Sequence, residues 1–257
     1  MHRSASRLTR ILACAAVPVM LVVAGCSSDS DNTSDGKKAS GSSASPQAQK
    51  SPNVAPAKFT DLPDPCKSIS EKTVKDLVPE SKAGSSGKST DSTSRGSCSW
   101  NGLDDKGVKG SQYRWLDVSF LRYDSEATLA LSGDQRAEKS YTQEIAKAKA
   151  TDGAKNVKSS PASGVGASAT VINYDLKKTD EDFTYATVVT RTENAVITLT
   201  YNGTGYAGAK SPSAGDLTKD ALKAAKEAVA SIATTNKAAD KTAESPTEKS
   251  TEKSADN

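Results

Sequence analysis

Histidine is all but missing from this chain. Its 257 residues hold one, His2, close to the start, so the rest cannot build a Ser-His-Asp triad, a Cys-His pair or a histidine metal site. An excess of one charge is missing too. Lys and Arg number 34 against 31 Asp and Glu, and Arg3, Arg7 and Arg10 all lie in the first 25 residues, which carry no acid. The remainder therefore has 31 of each sign, which argues against a nucleic-acid-binding surface. The one long apolar run, Ile11 to Val23, is too short to span a bilayer permanently. Cysteines are few: Cys14, Cys26, Cys66 and Cys98.

What is present at the start is a basic stretch, that apolar run, and then Val23-Ala24-Gly25-Cys26. This is the layout of a secretory signal peptide, and its end resembles a bacterial lipoprotein lipobox. The resemblance implies that the Cys26 sulfur takes a diacylglyceryl group and that cleavage leaves Cys26 as the first residue. The small residues fit a protease cleft and the thiol is the nucleophile. Two acyl chains, at about 0.8 kcal/mol per buried methylene, suffice for stable attachment. The expected address is the extracytoplasmic face of the cell membrane. Cys14 leaves with the signal and Cys26 goes to lipid, so Cys66 and Cys98 are left to each other. A disulfide is the obvious pairing outside the membrane. A pair of free redox thiols is the alternative, without a C-x-x-C spacing to support it.

Residues 27–61 are rich in Ser, Ala, Lys, Asp and Pro, and almost nothing is apolar before Val54 and Phe59. Such composition reads as a tether, which as a coil of some 35 residues reaches on the order of 30 Å. Residues 234–257 read as a polar tail, with Glu248-Lys249-Ser250-Thr251-Glu252-Lys253-Ser254 as a low-complexity echo. The expected organisation is a signal peptide at 1–25, lipidated Cys26 and tether at 26–61, one folded domain at 62–233, and the tail.

Inside the domain, Ser70 caps a short helix over 71–78 that Pro79 stops. Residues 81–97 read as a loop, followed by a strand at Cys98-Ser99-Trp100. Trp115 to Tyr123 predicts a strand with Leu116, Val118 and Phe120 on one face. Ser125 to about Lys149 predicts a helix with Ala130, Ala137, Tyr141, Ile145 and Ala148 along one side, weakened in its middle by Gly133. Ala169 to Tyr174 predicts a strand, and 183–191 with 195–201 a hairpin whose alternation offers two faces. A last helix over 216–233 carries Leu222, Ala225, Val229 and Ile232. The fold class expected is α+β: a largely antiparallel sheet with helices packed on one face.

Asp64-Pro65-Cys66 opening a helix, Cys98-Ser99-Trp100 after a variable loop, Gly164-Val165-Gly166 before a strand, a hairpin and an Ala-rich last helix together resemble one family. It is the group of actinobacterial cell-envelope lipoproteins known as a domain of unknown function, and the similarity covers roughly 62–233. The resemblance implies a lipid-anchored envelope protein, a Cys66–Cys98 bridge and no established activity.

Other constellations have plainer explanations. Gly84-Ser85-Ser86-Gly87-Lys88-Ser89 places two residues between its glycines where a phosphate loop needs four. Gly164-Val165-Gly166 lacks the third glycine of a dinucleotide turn and precedes a strand. Asp104-Asp105 and Asp180-Glu181-Asp182 lack the offsets of a calcium loop and read as solvated turns. Trp100 and Trp115 are core residues by default, with a groove for an apolar or sugar-like ligand as the sharper alternative. Tyr201 to Tyr206 reads as a loop with two aromatics, and Asn202-Gly203-Thr204 within it matches a glycosylation sequon. The function expected is a non-enzymatic module that binds a small apolar ligand or an envelope protein, without cofactor, metal or nucleic acid. The rivals are an enzyme using carboxylates such as Asp180 and Asp182, and a structural surface protein.

Overall fold

The computed structural model describes residues 53–243; Cys26, the signal peptide and most of the expected tether and tail lie outside them. The elements are α1 (Glu71–Leu77), β1 (Ser85–Ser86), β2 (Arg95–Asp104), β3 (Ser111–Arg122), α2 (Gly133–Lys149), β4 (Lys155–Ala162), β5 (Ser168–Lys178), β6 (Glu181–Thr192), β7 (Ala195–Tyr206) and α3 (Ala214–Ala243). Every strand pairing is antiparallel, in the order β1-β2-β3-β7-β6-β5-β4. The fold is therefore α+β with an antiparallel sheet, as the pattern of alternating strands predicts.

Side chains alternate across the sheet, and both faces are apolar. One face carries Cys98 and Trp100 of β2, Leu116, Val118 and Phe120 of β3, Ala186 and Val188 of β6, and Ile197 and Leu199 of β7. Helices α1 and α3 cover it through Val74 and Leu77 and through Leu217, Ala221, Ala225, Ala228 and Ile232. Alanines at three- and four-residue spacing let the α3 backbone lie close to the strands. Leu222 and Val229, expected at the centre of that stripe, flank it half-buried.

The second face differs from the expectation that all helices share one side. Strand β3 is central and β4 is the far edge, so the chain between them must cross three strands, and α2 makes that crossing. Ala137, Tyr141, Ile145 and Ala148 pack on Ile172, Tyr174, Tyr185, Val189 and Val196. Glu138 pairs with Arg191 at 2.6 Å, and the Tyr141 hydroxyl bonds Thr170 at 2.7 Å. Helix α2 starts later than Ser125. Ser132 accepts from the Gln135 amide and the Gln135 side chain returns to the Ser132 amide, a reciprocal cap. Gly133 thus opens the helix rather than interrupting it. A Cβ there would lie 2.5 Å from the Tyr123 carbonyl oxygen, so only glycine permits this approach.

The folded region also extends past 62–233 at both ends. Phe59 is buried, a burial that contributes roughly 1.5–3 kcal/mol. The buried Asn194 side chain receives the Phe59 amide at 2.8 Å and donates to the Phe59 and Tyr123 carbonyls, both at 2.9 Å. Asn236 on α3 receives the amides of Thr60 and Asp61 at 2.8 and 3.2 Å. Helix α3 runs on to Ala243, so the composition that suggests a tail begins inside a helix.

Candidate functional site

The Cys66–Cys98 disulfide is formed, with Cα atoms 5.1 Å apart. Trp100 is buried beside it, and a Cβ on Gly84 would fall 2.5 Å from the Cys98 sulfur and 2.6 Å from the indole nitrogen. This tryptophan is a core residue. Trp115 is not.

Helix α2 covers part of the second face and leaves part of it open. There β3 presents Tyr113, Trp115 and Asp117, residues two apart that share a face. Across the ladder, Trp115 is paired with Asn202 and Asp117 with Thr200 on β7, while Tyr185 on β6 lies opposite Asn202. With Phe183, Tyr206 and the turn residues Lys178 and Thr179, these line a groove of about 580 Å³, within the size range of small-molecule sites. The rings support one another. Tyr113 meets Phe183 edge-on at 5.9 Å, and Tyr185 stacks on Tyr174 at 4.7 Å.

Asp117 is the one carboxylate among the described lining residues. It is half-buried, and burial alone pushes its carboxyl up to about 6, with no hydrogen bond from the protein holding the charged form. Lys178 stands at the rim, its ammonium 5.4 Å from the centre of the Tyr185 ring. Thr179 and Asp180 follow it in a two-residue hairpin turn, both with positive φ.

Tyr206, Asn202 and Thr204 differ from their expected place in a loop. They belong to β7, because the alternation that ends visibly at Tyr201 continues through two glycines. A Cβ on Gly203 would lie 2.5 Å from the Tyr113 carbonyl oxygen. Asn202 and Thr204 are buried, and Thr204 donates to the Asp182 carbonyl at 2.9 Å, which does not suit a glycosylation acceptor. Tyr201 faces the other side and donates to the Leu77 carbonyl at 2.5 Å.

The carboxylate pairs do not converge. Asp180 is fully exposed at its turn and 3.9 Å from Lys177, and Asp182 is exposed. Asp104 pairs with Lys106 at 2.8 Å. Asp105 receives the Gly107 amide and the Ser111 hydroxyl, both at 2.9 Å, which holds its carboxyl below the usual range. Among the described residues no three ligand-type side chains cluster as for a metal. Gly164 and Gly166 have positive φ in a turn, and Val165 between them is buried with its carbonyl accepting from Thr190 at 2.9 Å. Ser85 and Ser86 form the short edge strand β1, both exposed.

Among solved structures, the chain is similar to LpqN, described as involved in cell envelope biogenesis of Mycobacterium tuberculosis, at 17% identity over 51% of this chain and 68% of that one. The TM-score is 0.27. A likeness at that level carries no argument about this chain. No protein-family model and no curated protein matches it.

The groove was open to sequence reasoning at one point. Leu116, Val118 and Phe120 mark one face of β3, so 113, 115 and 117 must share the other, and two aromatics and an acid there are an unusual set. Phe183 and Tyr185 lie on that face by the same alternation in β6. Their meeting with Lys178 depends on the strand order, which the sequence pattern does not state.

Proposed function

We propose that this chain is a lipid-anchored, extracytoplasmic domain that binds a small molecule in the groove over β3, β7 and β6 without turning it over. The observation that carries the reading is a groove lined by five aromatic side chains and one carboxylate, of which Tyr113, Trp115, Tyr206 and Asp117 are part-exposed and Phe183 and Tyr185 are buried. Exposed aromatic surface of this kind is costly unless something uses it. The lone carboxylate argues against the two-carboxylate chemistry of glycoside hydrolysis, which needs a pair of such groups facing one cleft. The anchor rests on Val23-Ala24-Gly25-Cys26, and the tether composition after it would hold the domain off the membrane surface.

Native mass spectrometry of the full chain, extracted in detergent from a related host, tests the groove. A co-purifying mass is expected on the wild type and is lost in Trp115→Ala, whose ring lies on the open face. A mass retained by that variant, or none on the wild type, counts against the groove. The anchor has its own test. Cys26→Ser is expected to release the protein to the medium or leave uncleaved precursor, and membrane retention of a correctly processed Cys26→Ser chain would overturn it.

A further inference from the structure

Resting on that reading, we infer that the groove selects an organic cation: an alkylammonium group seated against Asp117, with its apolar body on the part-exposed Tyr113 and Trp115 rings. An aromatic face is electron-rich, and Tyr113, Trp115, Phe183, Tyr185 and Tyr206 all line this one groove. The single acid among them has the same sign as the ring faces. A cation is the ligand charge that both attract, and the attraction grows as water is excluded.

Among the described residues nothing compensates Asp117. It sits between Trp115 and Ser119 on β3 and opposite Thr200 on β7, and burial is the one influence on its carboxyl. A half-buried carboxylate with no partner costs stability until an opposite charge reaches it. The fold holds this cost on the face that is left open, where a ligand would relieve it. A neutral sugar would stack on the same rings but leave the carboxylate without a counter-charge. An anion would find Lys178 at the rim but be repelled by Asp117 and by the ring faces beside it.

The protein supplies a precedent in its own side chain. The Lys178 ammonium lies 5.4 Å from the Tyr185 ring centre, so this ring already takes a cation of the kind inferred. Lys178 is exposed, at the end of β5 beside a two-residue turn, and can swing to water when a ligand arrives. The other ionisable groups facing the groove are the phenols of Tyr113, Tyr185 and Tyr206. Asn202 and Thr200, on the floor between the strands, add oxygen acceptors for an ammonium that carries protons.

The test uses the full chain in a nonionic detergent and three probes: choline, its uncharged carbon isostere 3,3-dimethylbutan-1-ol, and methyl glucoside. Tryptophan emission is the readout, and Trp115→Phe assigns the response, since Trp100 is buried on the other face. Choline is expected to bind about tenfold or more tightly than its isostere. Asp117→Asn should abolish that difference, and lowering the pH from 7 to 5 should weaken choline alone. Asp117→Asn removes a half-buried charge and keeps the side-chain shape, so it is expected to fold, and its urea midpoint at pH 7 checks that before the comparison is made. Equal binding of the isostere, or preference for the glucoside, would overturn the cation and leave the groove reading standing. No response to any probe also overturns the cation, and the groove reading is then judged on the co-purifying mass alone.

Discussion

Asp117→Asn is expected to make the folded chain more stable at neutral pH, by up to roughly 3 kcal/mol. The carboxyl is pushed from the ordinary 3.8 to about 6 by burial, and each tenfold change in proton affinity corresponds to about 1.4 kcal/mol. That figure is an upper limit, because water reaches the carboxylate from the groove side. The sign follows from proton binding. Between about pH 4 and pH 6 the folded chain holds a proton on Asp117 that the unfolded chain has released, so stability falls as the pH rises through this window and levels off above it. Asparagine has the same shape and no charge, so it should remove the slope and keep the higher stability throughout. Asp91 acts in the opposite sense and elsewhere on the scale. Its carboxyl accepts from Thr93 and Ser94 and is held at about 2, so its stabilisation is present above about pH 4 and lost only below that. Urea unfolding at pH 4, 5, 6 and 7 checks the prediction. Parallel curves for wild type and Asp117→Asn across that range would sink it. A variant that gains stability and loses choline binding would show a site whose ligand compensates a strain the apo fold carries.

Much of the architecture is legible because it is local. Ser70 caps its helix through a side chain three residues from the amide it serves, and the alternation in β3, β6 and the first half of β7 places each residue on its face without tertiary information. The placement of α2 is not local. Its apolar side is evident in Ala137, Tyr141, Ile145 and Ala148, but which face receives it depends on β3 being central and β4 being an edge. Strand β4 itself is nearly all exposed, so it has no buried alternation to reveal it, and Lys155, Lys158 and Pro161 give it the composition of a protected edge. The ends mislead for a different reason. Residues 54–61 and 234–237 are polar because each buries a single side chain, Phe59 in one and Asn236 in the other, and composition averages these away. The site shares the difficulty of α2: Tyr113, Trp115 and Asp117 are one strand's pattern, whereas the groove needs Phe183, Tyr185 and Lys178 from across the sheet.

Replacing Cys66 and Cys98 together with alanine is expected to lower stability by about 3–4 kcal/mol. The two residues are 32 apart in sequence, and closing a loop of that length removes roughly this much chain entropy from the unfolded state. The loop holds α1, β1 and the Ser- and Gly-rich stretch before β2, and its 3-10 turn at Pro65–Lys67 is held otherwise by short-range bonds such as the Cys66 amide to Asp64 at 2.9 Å. Alanine is the informative replacement at Cys98, which is buried against Trp100, because serine would leave a hydroxyl there without a partner. Denaturation in urea with and without reductant separates the contributions. Reduced wild type should match the alanine pair, and the alanine pair should not respond to reductant. A wild type whose midpoint is unmoved by full reduction would show that the bridge adds nothing to stability. The groove offers an internal control. Cys98 and Trp100 face α1 and α3, whereas Trp115 and Asp117 face away from them. Loss of the bridge should therefore lower the unfolding midpoint while the native baseline keeps its Trp115 emission and its choline response, and Asp117→Asn should do the reverse.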